Sequence, residues 1–194
     1  MPAISIDAFN WSRTPLWLRV ALEQACYLGG GASSYVWDLG NGYVVKLSQD
    51  EVVHQAMFRL QRRSVEGLPK VWYVGHDEVR LGRKKFTVVI QTKYRRIGRS
   101  VWRAVKAAMH HADPCFSRDS ERYNSSGRLA CRQMWILRSK VARSRSHPLR
   151  EMSAALRRVH TWLHDRRHWS LDIDHADNWG QDHLGRLVLI DPVV

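Results

Sequence analysis

A cluster of glycines and small residues near the start of the chain is followed, after one short hairpin, by a lysine in an apolar stretch. The cluster comprises Gly29, Gly30, Gly31, Ser33, Ser34 and Val36. Glycines let the main chain approach a ligand closely, so the backbone N–H groups of such a turn can contact phosphate oxygens. Lys46 lies in the following stretch 44–46, from which its ammonium group can neutralise phosphate charge. A plain hairpin is the alternative interpretation of the glycines, and the lysine on the next strand favours phosphate binding.

Aspartates and an asparagine cluster near the other end of the chain. The segment 172–178 contains three aspartates and ends at Asn178, and Asp191 follows Asn178 by thirteen residues. A turn at 183–186 and an apolar strand at 187–190 predict that two antiparallel strands bring Asn178 and Asp191 to the same end. Carboxylate and amide oxygens are the hard ligands that Mg²⁺ prefers, and a neighbouring aspartate can orient a hydroxyl group. A solvated loop rich in aspartate is the alternative interpretation.

In this order, the two groups of residues resemble the protein-kinase-like fold, and most closely the small early serine/threonine kinases of podophages. The glycine turn is similar to the kinase pattern GxGxxGxV, with Ser34 at the third glycine position. The later residues are similar to a Ser-Phe-Asp-x-His-x-x-Asn loop and a terminal Thr-Asp-Pro of that family. The matching residues are Ser170, Leu171, Asp172, His175, Asn178, Ile190, Asp191 and Pro192. The resemblance covers about residues 24–95 and 150–192.

The resemblance implies roles for individual residues in a reaction that uses ATP and Mg²⁺. Lys46 would clamp the phosphates of ATP, and the glycine turn would cover the nucleotide. Asn178 and Asp191 would be the Mg²⁺ ligands. Asp172 would be the catalytic base, with Asp174 as the alternative, because the spacing from Asp172 to Asn178 is one residue longer than is usual in the family.

The elements predicted around these residues indicate an α+β fold with a small N-terminal antiparallel sheet lobe and a helical C-terminal lobe. The predicted strands are 34–39, 43–48, 70–75, 86–91 and 187–190. The predicted helices are 14–26 with Thr14 as its N-cap, 49–62, 100–111, 128–142 and a last helix that begins at Pro148. We expect a single kinase-like domain over 1–194, with an N-lobe of about 1–92 and a C-lobe of 93–194. It would be truncated after the metal-binding Asp191, without an activation segment.

Composition favours a cytoplasmic protein and excludes several other classes. A chain of 194 residues, 44% of them hydrophobic, suits one compact domain. No apolar run approaches the roughly 20 residues of a membrane span, and the first ten residues lack the pattern of a secretory signal. The three cysteines have no CxxC spacing, which indicates reduced thiols. If the chain is phage-encoded, its compartment would be the host cytoplasm.

Positive charge is concentrated in the middle of the chain. The formal net charge is +13, and the segment 93–150, with fifteen lysines and arginines and three acids, contributes +12. Such a segment can dock an acidic protein patch or nucleic acid. A solvated helical face is the alternative, and the sequence leaves both interpretations open.

Two hypotheses of different classes follow for the function. The first is an ATP/Mg²⁺-dependent phosphotransferase that modifies serine or threonine hydroxyls of host proteins. The second is a pseudokinase that binds and inhibits a host nucleic-acid-associated or defence machine through segment 93–150. The retained lysine, asparagine and aspartates favour the enzyme. The missing activation segment, and the lack of a glutamate well placed in helix 49–62 to pair with Lys46, favour the binding protein. Direct nucleic-acid binding is a third interpretation that rests on charge alone.

Overall fold

The computed structural model describes residues 5–30, 34–112 and 176–191. The chain divides into two compact units. The first unit comprises Met1–Ser64 and Lys70–Lys93, and the second comprises Val65–Pro69 and Tyr94–Val194. In the described residues the fold is α+β, with an antiparallel sheet in each unit.

The first unit is built on a five-stranded antiparallel sheet. Its elements in chain order are a 3₁₀ turn Ile6–Ala8, helix α1 Leu16–Leu22, strands β1 Cys26–Gly30, β2 Ser34–Asp38 and β3 Tyr43–Ser48, helix α2 Glu51–Arg62, and strands β4 Val71–Leu81 and β5 Lys84–Thr92. The strand order is β1-β2-β3-β5-β4. Strand β3 therefore lies in the middle of the sheet, paired with a neighbour on each side.

One face of this sheet packs around an aromatic cluster centred on Phe9. The Phe9 ring meets Trp37 and Phe86 edge to face, with ring centroids 5.5 and 5.6 Å apart. The side chains buried with it come from α1, β2, β3, β4 and β5, and include Leu18, Leu22, Val45, Leu47, Val79, Val88 and Ile90. Edge-to-face contacts of this kind add to the stabilisation that comes from buried area. The N-terminal segment thus covers one side of the sheet.

Helix α2 contributes a row of buried side chains to the first unit. The residues that it buries, spaced as one face of a helix, are Val53, Ala56, Met57 and Leu60. The helix contacts β3, β4 and β5. Every residue of β3 from Val44 to Ser48 is buried, which is the pattern of a strand covered on both faces.

The second unit contains a small three-stranded sheet and a helix. Its described elements are strand β6 Arg95–Arg96, helix α3 Arg99–Ala112, a 3₁₀ turn Ala176–Asn178, and strands β7 Trp179–Gln181 and β8 Leu187–Leu189. The strand order is β6-β7-β8, with antiparallel pairing throughout. Within the described ranges, no helix is long and apolar enough to cross a membrane.

The α+β class and the small N-terminal antiparallel sheet are confirmed, but helix α1 differs from its prediction. It begins at Leu16 and ends at Leu22, because the chain has already entered β1 at Cys26. Thr14 is not its N-cap, which corrects the prediction. The Thr14 hydroxyl instead donates to the Trp11 carbonyl oxygen at 2.7 Å, so it closes the preceding turn. Pro15 occupies the cap position without a side-chain hydrogen bond.

Strand β4 is also longer than predicted, and its irregularity explains the error. The pairing register with β5 shifts between Gly75 and Val79, and Asp77 in this bulge has a φ of 54°. A bulge disrupts the alternation of inward and outward side chains, so the pattern of a strand is lost beyond residue 75. The predicted helices over 128–142 and from Pro148 lie outside the described residues.

Candidate functional site

Lys46 occupies the centre of the five-stranded sheet. Its cross-strand partners are Val36 on β2 and Val89 on β5. The residue is only 6% exposed, which is unusual for a lysine. Because side chains alternate along a strand, Lys46 points to the face opposite the Phe9 cluster. The Lys46 side chain thus lies on this face of the sheet, one strand away from the strand that follows the glycine turn.

Two glycines at the end of β1 are required by the backbone. Gly29 has a φ of 153° and lies at a register shift in the β1–β2 pairing, a conformation that side chains disfavour. At Gly30, an added Cβ would lie 2.7 Å from the Ser34 carbonyl oxygen and 2.8 Å from the Tyr27 hydroxyl. A side chain at position 30 would therefore collide with the main chain of β2. Gly31 and Ser33 lie outside the described residues.

Ser34 and Val36 continue from the turn onto β2. Ser34 pairs with Ser48, and Val36 pairs with Lys46, which places both on the same face of the sheet as the lysine. Of the predicted nucleotide-binding residues, the structure therefore brings Ser34, Val36 and Lys46 onto one surface.

Three buried polar side chains on the Lys46 face did not figure in the sequence prediction. They are Ser48, Thr87 and Gln91, each no more than 6% exposed. The Ser48 hydroxyl oxygen accepts from the Asp50 N–H at 3.1 Å, and the Thr87 hydroxyl lies 3.3 Å from Nδ1 of His54. The signal that could have found two of them is the alternation Thr87-Val88-Val89-Ile90-Gln91, which places polar groups on one face of β5.

His54 lies on α2 between the sheet and a second histidine. Burial lowers the pKa of His54, and the nearby positive charge of His76 lowers it further, against a smaller opposite effect of Glu51 and Asp77. The two rings meet at 4.3 Å between centroids. The neutral imidazole is therefore favoured at this position.

Asn178 and Asp191 are brought together by the β7–β8 hairpin. The carbonyl oxygen of Asn178 accepts from the Ile190 N–H at 2.7 Å and from the Asp191 N–H at 3.4 Å. The sequence prediction that two strands present both residues at the same end is confirmed. Oδ1 of Asp191 is shielded from solvent.

The side-chain oxygens of Asn178 and Asp191 are of the kind that could hold a magnesium ion together with a phosphate group. Within the ranges that the structure describes, no group of three or more histidine, cysteine or acidic side chains could enclose a metal. Mg²⁺ is typically held by one or two protein ligands together with substrate phosphates and water. An asparagine and an aspartate suffice for such a site.

Asp182 has a structural role, since its hydrogen bonds stabilise the turn between β7 and β8. Its carboxylate accepts from the N–H groups of Leu184 and Arg186 and from the Arg186 guanidinium, at 2.8 to 2.9 Å. Burial acts to raise the pKa of Asp182, but these hydrogen bonds and the arginine charge outweigh it and hold the pKa below the usual value. Glu66 pairs with the same arginine at 3.3 Å. Asp182 is thus a structural carboxylate of the hairpin.

The predicted catalytic residues, Asp172 and Asp174, lie outside the described residues, so their roles stay predictions. The described candidates belong to separate units. Gly29, Gly30, Ser34, Val36 and Lys46 lie in the first, and Asn178 and Asp191 lie in the second.

Comparison with known proteins gives distant structural likenesses only. No family model matches the chain, and no curated protein matches it. One similar solved structure is a thermostable mutant of aminoglycoside phosphotransferase APH(4)-Ia, in ternary complex with AMP-PNP and hygromycin B, at 16% identity and a TM-score of 0.36. Another is the streptomycin–ATP–APH(2")-IIa ternary complex, at 15% identity and a TM-score of 0.38.

The chain matches these two structures over most of its own length. The first match covers 87% of this chain and 65% of the phosphotransferase, and the second covers 100% and 73%. The chain therefore spans less than two thirds of the first of these proteins. At TM-scores below 0.5, the likeness is too distant to carry an argument about activity or substrate.

Proposed function

We propose that this chain is an ATP- and Mg²⁺-dependent phosphotransferase of the protein-kinase-like fold, which transfers a phosphoryl group to serine or threonine hydroxyls of host proteins and is encoded by a phage. The observation that supports it most directly is the burial of Lys46 in the middle of the sheet, opposite Val36 and beyond the glycine turn. A lysine on the strand after a glycine-rich turn is suited to neutralise nucleotide phosphates. The phage origin and the serine/threonine preference rest on the sequence resemblance.

The described residues would bind and orient the nucleotide. The Lys46 ammonium group would contact phosphate oxygens, and the main chain at Gly29 and Gly30 would let the turn approach them closely. Asn178 and Asp191 would hold the magnesium ion, which supplies neutralisation of the phosphate charge when it is bound. The buried setting of Lys46 strengthens its attraction for an anion, because fewer water molecules screen the charge.

The transfer step itself would depend on Asp172 or Asp174. The substrate hydroxyl oxygen forms a bond to the γ-phosphorus of ATP while the bond from that phosphorus to the β–γ bridging oxygen breaks. ADP leaves with the electron pair of that bond, and the hydroxyl proton passes to the aspartate. The aspartate accepts the proton and orients the oxygen. The activity would therefore depend on which of the two aspartates, Asp172 or Asp174, reaches the hydroxyl group.

Incubation of the full chain with γ-labelled ATP, Mg²⁺ and bacterial lysate tests this function. We expect label on serine or threonine of the chain itself or of lysate proteins. The Asp172→Ala substitution should abolish labelling, and the variant protein should still be stabilised by ATP. Loss of labelling in Asp174→Ala but not in Asp172→Ala would assign the base to Asp174. Wild-type protein that is stabilised by ATP but labels nothing would contradict the phosphotransferase.

A second candidate function is a kinase-fold binding protein that inhibits a host nucleic-acid-associated or defence machine through the basic segment 93–150. The observation that favours it is the exposed basic face of α3, formed by Arg99, Arg103 and Lys106 at helical spacing. No carboxylate among the described residues pairs with these three side chains. Titration of labelled DNA and of an acidic peptide into the full chain at several salt concentrations tests this candidate, because electrostatic docking weakens as salt rises.

A further inference from the structure

The side-chain oxygen of Gln91 is a buried acceptor to which none of the described residues donates a hydrogen bond. The residue is 6% exposed, and no described residue hydrogen-bonds to its Oε1 atom, which is shielded from solvent. Buried side-chain oxygens in native proteins nearly always have a partner, because an unsatisfied buried acceptor is destabilising. An acceptor of this kind, in the middle of a sheet, is suited to hydrogen-bond with a bound ligand.

The position of Gln91 relates this unsatisfied acceptor to Lys46. Gln91 pairs with Val44 on β3, and Lys46 follows Val44 by two residues, so both polar side chains lie on the same face. The Cα atoms of such diagonal neighbours are about 7–8 Å apart. A cation and a neutral carboxamide therefore stand close together on one surface of the first unit.

The side chains beside Lys46 and Gln91 on this surface are apolar, and the polar Ser48 and Thr87 lie beyond Lys46 on the same face. Val36, Val44 and Val89 flank the two polar residues across β2, β3 and β5. An apolar floor suits the flat face of an aromatic ring, and a few polar groups placed around such a floor determine what it binds. The surface thus offers a cation for phosphate, an apolar floor, and a group that can accept one hydrogen bond and donate another.

We propose that the Gln91 carboxamide recognises the base of the nucleotide and selects an aminopurine. Its Oε1 would accept from the 6-amino group of adenine, and its Nε2–H would donate to the adjacent ring nitrogen, the same complementarity by which glutamine reads adenine in DNA. This inference rests on the proposed nucleotide-binding function and adds a specificity-determining residue to it. A 6-oxo or 6-unsubstituted purine lacks the amino donor and would leave Oε1 unsatisfied.

The experiment compares two ligands that differ only in that donor. Calorimetric titration of the full chain with ATP and with purine riboside triphosphate, which has hydrogen in place of the 6-amino group, should show about tenfold tighter binding of ATP. Gln91→Leu should bind the two nucleotides with equal affinity. Gln55→Leu, at an exposed position of α2, is the matched control and should retain the preference for ATP.

The melting temperatures of the ligand-free proteins give a second test. A glutamine with a purely structural role would give a different result from the one that we expect. Gln91→Leu should melt at the same temperature as wild type or higher, because the substitution removes an unsatisfied buried acceptor. A lower melting temperature would show that the carboxamide already has a stabilising partner, and would overturn the inference.

The wild-type comparison alone separates the two proposals. Equal affinity of wild type for both nucleotides, as expected if an ordered water molecule occupies the acceptor, would overturn base recognition and leave the phosphotransferase standing. No binding of either nucleotide at millimolar concentration would overturn both.

Discussion

The main-chain N–H of Asp191 donates to the carbonyl oxygen of Asn178, at 3.4 Å, although thirteen residues separate them in sequence. The Ile190 N–H donates to the same oxygen at 2.7 Å. The hairpin formed by Trp179–Gln181 and Leu187–Leu189 makes this contact possible, and Asp182 holds its turn. The main chains at these two positions are therefore held next to each other by hydrogen bonds of the backbone.

The first prediction concerns this pair. Asp191→Asn removes the negative charge that a Mg²⁺ ion needs but keeps the shape of the side chain, so it should abolish most Mg²⁺-dependent stabilisation by ATP and reduce phosphoryl transfer at least 100-fold. Thermal melting with ATP, with and without Mg²⁺, measures the effect. Asp177→Asn is the matched control, since Asp177 is exposed one residue before Asn178. Equal effects of the two variants would contradict a metal role for Asp191.

The second prediction concerns Lys46. Lys46→Met keeps most of the side-chain volume and removes the charge, so the variant should fold but lose most of its stabilisation by ATP. For wild type, a ligand at 100 times its Kd stabilises the native state by about 2.7 kcal/mol. Lys84→Met, at an exposed position of β5, should retain the full shift in melting temperature. Retention of the full shift by Lys46→Met would place the phosphates elsewhere.

The third prediction concerns the glycine turn. In Gly30→Ala the new methyl group would meet the Ser34 carbonyl oxygen, a backbone atom that cannot move away cheaply. We expect a loss of roughly 1–3 kcal/mol in the free energy of unfolding and weaker stabilisation by ATP. Cys26→Ala, an exposed position on the same strand, controls for an added alanine and should change the stability little. Chemical denaturation measures both variants, and equal stabilities would show that the turn does not need its glycine.

The fourth prediction concerns pH and Asp182. Because its hydrogen bonds and the Arg186 charge hold the pKa of Asp182 in the folded protein below that of an ordinary aspartate, the carboxylate stabilises the fold at neutral pH. This contribution is lost as the pH falls through the folded pKa. Asp182→Asn should therefore lower the Tm at pH 7 by roughly 3–8 °C. The difference from wild type should shrink as the pH is taken below 4. A difference in Tm that stays constant from pH 7 to pH 3 would show that charge is not what Asp182 contributes.

Regular elements of this fold could be predicted from the sequence, and irregular ones could not. The strand predicted over 43–48 coincides with β3, because its apolar residues and the preceding turn at 38–42 give a clear pattern. Strand β4 extends beyond its predicted end at residue 75, since the bulge at Asp77 breaks the alternation of inward and outward side chains. Strand β6 has two residues, too few to show any period. The missing information is tertiary, because a bulge or a two-residue strand is stabilised by its partner strand.

The candidate site divides in the same way. Asn178 and Asp191 could be paired from the sequence because one hairpin links them. Gln91 could not be recognised as a site residue from the sequence. Its importance depends on which groups surround it after folding, and none of the described residues donates a hydrogen bond to its Oε1 atom. Thr14 illustrates the converse error, since a sequence that fits an N-cap can satisfy its hydroxyl at the Trp11 carbonyl instead.

The last prediction concerns the basic face of α3. Arg99, Arg103 and Lys106 are exposed on one side of the helix. If this face docks nucleic acid, reversal of all three to glutamate should weaken binding of a labelled DNA duplex and lower the slope of log affinity against log salt by up to about 3, because each phosphate contact contributes close to one unit. Reversal of three exposed arginines of the first unit, Arg13, Arg19 and Arg83, is the control with equal charge change. Equal slopes for the two triple variants would show that the α3 face is only solvated. If the wild-type chain binds an acidic peptide but no DNA, the face would be assigned to a protein partner.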